Sequence, residues 1–407
     1  MVVLTDKYHC TGCSACSQSC VRSAITMRYD DEGFLQPVVN SDICVDCGLC
    51  AKRCPVKSPI EIPANKKRAA YALISYDDRK VSSSGGAFSV FAKWILSQGG
   101  VVYGASIGSE LKVRHIRIDN VRDLYKIRGS KYVQSEIGNV FKDVKEDLKK
   151  NIKVLFTGTG CQVAGLYSFL NNKRYENLLF TIDLVCHGVP SYLSFKSYLR
   201  KVEEYDSPNG QLGDIEAFRF RKFDSWDYRP AIKFTKTNFK ILELEKNAYM
   251  AAFFKGMIFR ESCYNCQYCN TDRVGTFTIA DFWGIGRHGK PFAKNVSSGV
   301  SLVLDNYGLI PMLITDLSKM AYIEQRDIEE AVIEQRNLKE PMPRTIFRDT
   351  AVKDLISEDV SLNKYCHKYG LPYKATLKWK VTKFMKDVIY GIGAYNLYKT
   401  LIYKFGK

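Results

Sequence analysis

The sequence has no stretch of about 18 consecutive apolar residues, the length that a membrane-spanning helix needs. Its first ten residues, MVVLTDKYHC, carry no apolar signal core. The expectation is therefore a cytoplasmic chain, neither exported by the usual route nor integral to a membrane. Histidine is scarce, with five in 407 residues. No Ser-His-Asp or Cys-His nucleophile set is visible, and His187 and His288 read as structural. Acid is also in deficit, since 43 Asp and Glu face 60 Lys and Arg for a net +17. A hydrophobic fraction of 46% with 25% charged residues excludes disorder and collagen-like repeats. The length points to two or three domains. What abounds is cysteine, with 14 residues. A reducing compartment does not favour a disulfide framework, so metal or redox chemistry is the better reading.

Eight of the cysteines fall in two similar runs, Cys10-x2-Cys13-x2-Cys16-x3-Cys20 and Cys44-x2-Cys47-x2-Cys50-x3-Cys54-Pro55. This is the spacing of bacterial two-cluster ferredoxins. Three thiolates from one loop wrap a face of a 4Fe-4S cubane, and the fourth cysteine of the run crosses to the other cluster. The pairing predicted is Cys10, Cys13, Cys16 and Cys54 on one cluster, and Cys44, Cys47, Cys50 and Cys20 on the other. Zinc knuckles more often use paired CxxC or Cys/His arrangements than two four-cysteine runs. Val21 departs from the pattern by replacing the proline expected after Cys20. Gly12 and Gly48 stand where backbone must pass close to sulfide. Between the runs, two short strands around Asp31-Glu32-Gly33-Phe34 predict a hairpin.

Pro55, Pro59 and Pro63, followed by Lys66-Lys67-Arg68, read as a stiff polar connector. Beyond it, strands alternate with helices. Ala87, Val90, Phe91, Trp94 and Ile95 share one helical face, with Ser84 as the expected N-cap. The turn Ser82-Ser83-Ser84-Gly85-Gly86 in front of that helix offers backbone N–H groups suited to a phosphate, or simply caps a core helix. A Gly-rich turn, Gly158-Thr159-Gly160-Cys161-Gln162, follows a buried strand, and Cys186 ends the next one. Ligands of α/β sheets gather outside the carboxyl ends of strands. Cys263, Cys266 and Cys269 come later at two-residue intervals, which on spacing alone looks like three ligands of a cluster. The stretch Gly284-Ile285-Gly286-Arg287-His288-Gly289 matches GxGxxG, but no helix signal follows, so it is not read as a dinucleotide fingerprint.

Taken together, SSSGGAFS, RGSKYVQS, FTGTGCQVAGL, DLVCHGVPS and CYNCQYC…RVGTFTIADFWGI resemble the beta-subunit family of coenzyme F-420-reducing hydrogenases and dehydrogenases. With the cysteine runs, the resemblance spans residues 1 to about 305 and is to the bacterial type with a two-cluster ferredoxin domain in front. It implies an α/β flavoprotein that binds FAD and one further 4Fe-4S cluster. Archaeal members pass electrons between cluster, FAD and a deazaflavin, and bacterial relatives occur in polysaccharide-biosynthesis settings. It also implies ligand roles for Cys161, Cys186, Cys263 and Cys266; Cys269 remains the competitor and Cys366 an ordinary thiol. Candidate FAD contacts are Ser83, Ser84, Gly85, Gly86, Arg128, Ser130, Lys131, Tyr132, Gly158 and Thr159. Each oxidised cluster with four thiolates carries −2, so three of them would bring the net +17 to about +11.

The expected organisation is an α+β ferredoxin-like domain over 1–58, a larger α/β FAD and iron–sulfur domain over 66–330, and a mostly helical, basic C-terminal region over 345–407. Leu377, Val381, Phe384, Met385 and Val388 form an apolar stripe, with Trp379 off it. This tail could lie on an anionic membrane or dock on protein. The function expected is an iron–sulfur flavoprotein oxidoreductase; the alternative is a non-catalytic electron-transfer subunit. Its partner would be a ferredoxin, a nicotinamide or a deazaflavin. Nucleic acid is not expected, because the basic residues outside the tail are dispersed.

Overall fold

The computed structural model describes residues 4–62, 68–222, 226, 228–242 and 247–371. The apolar stripe predicted over residues 377–388 lies outside the described residues, as do Pro63, Lys66 and Lys67 of the connector. Among the described residues no helix is long and apolar enough to cross a membrane.

The first unit is short and repeats itself: α1 (Ala15–Ser19), β1 (Ile25–Tyr29), β2 (Leu35–Val39) and α2 (Leu49–Lys52). The predicted hairpin is present, with Ile25 opposite Val39 and Tyr29 opposite Leu35 in antiparallel register. Its turn is closed by the Asp30 carboxylate, which accepts the N–H groups of Glu32 and Phe34. Gly33 has φ of +77°, and a Cβ there would stand 2.3 Å from Cβ of Leu193, so the turn needs glycine twice over.

The second unit is built on β3 (Ala69–Ser75), α3 (Ala87–Leu96), β4 (Val101–Ile107), β5 (Val113–Ile118), α4 (Leu124–Ile127), α5 (Val140–Lys149), β6 (Val154–Thr159), α6 (Gly160–Phe169) and β7 (Leu179–Leu184). An excursion follows through α7 (Tyr192–Asp206), β8 (Ile215–Arg219), β9 (Ala231–Phe234), β10 (Lys240–Ile241) and α8 (Ala248–Phe254). The chain then returns through β11 (Phe277–Asp281), β12 (Ser301–Asp305), α9 (Ile310–Leu317), β13 (Ala321–Arg326) and α10 (Ile328–Ile333), and ends in α11 (Arg348–Ile356) and α12 (Leu362–Lys368). Eight strands form one mixed sheet in the order β13-β3-β12-β11-β7-β6-β4-β5. Strands β4, β6, β7 and β11 run parallel, which aligns the ends of β6 and β7 at one edge.

The predicted face of α3 is buried against one side of this sheet, where Phe91 stacks on Phe277 at 4.5 Å. Helices α5 and α6 cover the other side. Ser84 is not the cap of α3: Gly86, at φ +93°, holds that position, and the Ser84 hydroxyl donates to the Val300 carbonyl. A third core gathers α7, the three-stranded sheet β10-β9-β8, α8, α11 and α12 around Phe195, Tyr198, Phe218, Tyr249 and Tyr365. Cys366 is buried in it, and burial pushes its thiol up to about 11. No helix follows the GxGxxG stretch; Arg287 and His288 instead pair with Glu334.

Candidate functional site

Two recesses in the N-terminal unit are each framed by four cysteines. Cys10, Cys13, Cys16 and Cys54 line one. Cys20, Cys44, Cys47 and Cys50 line the other. In both, the fourth cysteine of one run stands with the first three of the other. The two runs reach this shape through the same pair of left-handed residues, Gly12 and Ser14 in the first and Asp46 and Gly48 in the second. Gly12 answers to more than the turn, since a Cβ there would meet the side chains of Gln134 at 2.6 Å and Arg260 at 2.8 Å. Gly48 faces open space and is needed for its backbone angle alone.

Amide hydrogens aim at sulfur: Gly12 N–H donates to Cys10 Sγ at 3.4 Å and Ala24 N–H to Cys20 Sγ at 3.3 Å. Burial pushes the Cys13 thiol up to about 12 and raises Cys16 and Cys50 as well. Such thiols ionise only with a cationic centre beside them. Among the described residues no three His, Cys, Asp or Glu side chains close on a single ion.

A further cysteine group is assembled by the sheet. Cys161 sits at the start of α6, where Thr159 and Gln162 form a capping box and the Thr159 hydroxyl lies 3.1 Å from Cys161 Sγ. Cys186 follows β7, and Cys263 and Cys266 lie on a short turn at Glu261–Asn265 and just after it. Each pair among these four is close enough for one thiolate to disfavour the other. Burial pushes Cys161 up to about 11 and Cys263 to about 12, and raises Cys186. Cys266 donates to Cys269, which raises the first thiol and lowers the second. Cys269 faces Cys266 and Cys186, and the Asn337 amide lies 3.8 Å from its sulfur. The turn is tied to the sheet by Asp183, fully buried on β7, which accepts from the Arg273 guanidinium and from the Val274 and Gly275 amides.

The first of the three groups and the last are neighbours. Cys13 feels the charges of Cys10, Cys54 and Cys161, so the first group adjoins the third. Contact is direct: a Cβ on Gly165 of α6 would lie 2.9 Å from Cβ of Cys13. In the group of Cys20, Cys47 is exposed.

The candidate flavin segments come together only in part. Ser83 Oγ accepts the N–H of Ser130 at 2.9 Å, which joins the two loops. Arg128 pairs with Asp78 at 3.0 Å, and Tyr132 packs among Phe220, Tyr228 and Phe253. Lys131 donates to the Arg128 carbonyl, and burial pushes its amine down to about 7. Its neighbour His115, pushed down to about 4 by burial, bonds Ser135 and the Thr157 carbonyl just before Gly158 and Thr159. Gly85 and Ser84 are spent on packing: a Cβ on Gly85 would meet the Leu73 carbonyl at 2.1 Å, and the Ala87 N–H is taken by Ser301 Oγ.

Three arginines of this region escape sequence reasoning: Arg260, Arg273 and Arg348. All are buried, and their partners lie far along the chain. The one signal available was that Arg260 and Arg273 flank the run of Cys263, Cys266 and Cys269; nothing near Arg348 marks it.

Two interleaved four-sulfur recesses on a ferredoxin-like unit define an iron–sulfur protein of the electron-transfer class. Residues 9–58 match the family model of the 4Fe-4S dicluster domain. Residues 152–331 match that of the C-terminal part of the coenzyme F-420 hydrogenase/dehydrogenase beta subunit, so the chain joins a dicluster domain to a domain of that family. A curated relative is the coenzyme F-420-dependent sulfite reductase of Methanocaldococcus jannaschii, 23% identical over 251 residues, which are 54% of this chain and 39% of that protein. The ferredoxin-type protein NapF of Escherichia coli K12 is 41% identical over 51 residues, 12% of this chain and 31% of its own length. The chain thus spans between three and four tenths of these relatives. Among solved structures, a chain of the F-420-reducing NiFe hydrogenase complex from Methanosarcina barkeri aligns with a TM-score of 0.41 and 16% identity, covering 74% of this chain and 91% of that one.

Proposed function

We propose that the chain is an FAD-dependent iron–sulfur oxidoreductase with three 4Fe-4S clusters. The ligands of the outer cluster are Cys20, Cys44, Cys47 and Cys50. Those of the middle cluster are Cys10, Cys13, Cys16 and Cys54, and those of the inner cluster are Cys161, Cys186, Cys263 and Cys266. The observation that carries this reading is the adjacency of Cys13 and Cys161, which joins what would otherwise be two separate redox units. Cys269 stands beside the inner set as a hydrogen-bond partner of Cys266.

FAD, when bound, converts hydride chemistry into single electrons. Lys131 suits its phosphates: no carboxylate among the described residues pairs with this buried amine, and an anion would restore its charge. Ser83 and Ser130 offer hydroxyls nearby, whereas Ser84 and Gly85 hold the loop to the sheet and the Thr159 hydroxyl is taken by Cys161 and Gln162. A deazaflavin, a nicotinamide or a ferredoxin is the external partner. Nothing among the described residues points to a sugar substrate.

Anaerobic isolation with iron and flavin quantification tests the reading; about twelve iron atoms and one flavin per chain are expected. Iron without flavin would sink the flavoenzyme and leave a non-catalytic electron-transfer subunit, which the packing of Ser84 and Gly85 favours. Parallel reduction trials with NADH, NADPH, reduced deazaflavin and reduced ferredoxin identify the partner.

A further inference from the structure

Arg260 and Arg348 are the two largest fully buried side chains, and their guanidinium carbons lie 5.6 and 6.0 Å from the centre of the Phe34 ring. They differ in what surrounds them. Arg348 is neutralised by Glu32 and by Glu261 at 3.0 Å. Arg260 meets only neutral oxygens. Its Nε donates to the Cys10 carbonyl at 2.5 Å, Nη1 to Gln134 Oε1 at 3.1 Å, and Nη2 to the Leu35 carbonyl at 2.9 Å and to Gln36 Oε1 at 3.0 Å. Among the described residues no carboxylate lies within ion-pair distance of it. An isolated buried guanidinium is costly, because it cannot shed its proton and has lost its water.

Its counter-charge is sulfur. The guanidinium holds the Cys10 carbonyl, and the Arg260 carbonyl in turn accepts the Cys263 N–H at 3.0 Å, so the residue stands between the middle and inner cysteine groups. We propose that Arg260 is the positioning residue whose fixed positive charge raises the reduction potentials of the middle and inner clusters together. Reduction adds one electron and no proton to a cluster, taking its charge with four thiolates from −2 to −3. A buried cation nearby is weakly screened and favours the more negative state. The inner half of this proposal rests on the ligand set assigned under Proposed function.

The test is a potentiometric titration followed by EPR on the iron-loaded full chain. Gln134→Glu keeps the volume and places a carboxylate on Nη1, cancelling the charge. The one-electron reduction constant of the middle and inner clusters should fall at least tenfold, about 59 mV. The outer cluster, recognised as the signal lost in Cys20→Ala, should not move. Arg260→Gln should shift the same two signals, and Arg260→Lys, which keeps charge without the fork, should shift them less. Full iron with unchanged potentials in Gln134→Glu or Arg260→Gln overturns the proposal. Iron loss in both with a fully loaded Arg260→Lys supports it, whereas iron loss in all three makes Arg260 a structural anchor and overturns it. A native chain with about eight iron atoms in place of twelve would fail the inner-cluster reading alone, and the proposal would then stand or fall on the middle-cluster potential.

Discussion

In the N-terminal unit each cysteine run occupies eleven consecutive residues, and each is shaped by two left-handed residues inside it. In the α/β domain the inner group draws Cys161 from the start of α6, Cys186 from the end of β7, and Cys263 and Cys266 from a turn about a hundred residues beyond α6. Three of the four cysteines in each of the first two sites are therefore placed by local backbone conformation, and the fourth crosses from the other run. The third is a product of strand register, because only the parallel pairing of β6 with β7 brings its first two cysteines to one edge. A local site should fail through its own residues. An assembled one should also fail through anchors that touch no iron.

Asp183→Ala is the strongest test of that contrast. It leaves Arg273 buried without its carboxylate and frees the Val274 and Gly275 amides. A loss of about 3–5 kcal/mol is expected, measured by chemical unfolding, together with about four iron atoms lost from the inner cluster alone. Retention of all iron in a folded Asp183→Ala protein would break the comparison.

Single ligand changes come next. Alanine at Cys161, Cys186, Cys263 or Cys266 should each remove about one cluster's iron, and Cys269→Ala should remove none. Iron loss in Cys269→Ala with none in Cys161→Ala would exchange their roles. Within the N-terminal unit, Cys20→Ala should damage the cluster of Cys44, Cys47 and Cys50; damage confined to the other one would refute the crossed pairing.

Gly33→Ala probes the seam between the two regions. The left-handed angle and the Leu193 contact should cost about 2 kcal/mol, read as a lowered thermal midpoint. An unchanged midpoint would mean that the hairpin turn yields freely.

The smallest effect concerns pH. Burial lowers Lys131 from 10.5 to about 7, so between these values the unfolded chain binds more protons and stability rises with pH. An anionic ligand reverses the shift. Flavin binding near pH 8 should therefore take up a proton, seen as a dependence of calorimetric heat on buffer ionisation, and Lys131→Met should abolish it. Lys131→Glu should weaken flavin retention outright; unchanged stoichiometry after dialysis counts against the site.

The sequence made the local half legible. The repeated spacing, the hairpin around Gly33 and the buried face of α3 are all set by neighbours within a few turns of chain. The cap of α3 was misplaced because Ser84 is drawn to Val300, more than two hundred residues away. The insertion of β12 between β3 and β11 was equally hidden, since antiparallel pairing at that range leaves no periodic trace. Arg260 is the extreme case: its pattern in sequence is an arginine before a cysteine turn, and its meaning lies with Cys10, Leu35 and Gln36.

The exposure of Cys47 bears on how the protein ages in air. Dissolved oxygen and peroxide reach solvent-open sulfur first, while Cys161, Cys186, Cys263 and Cys266 are only partly exposed. Damage should begin at the recess that holds Cys47, so a chain handled in air loses that connection first.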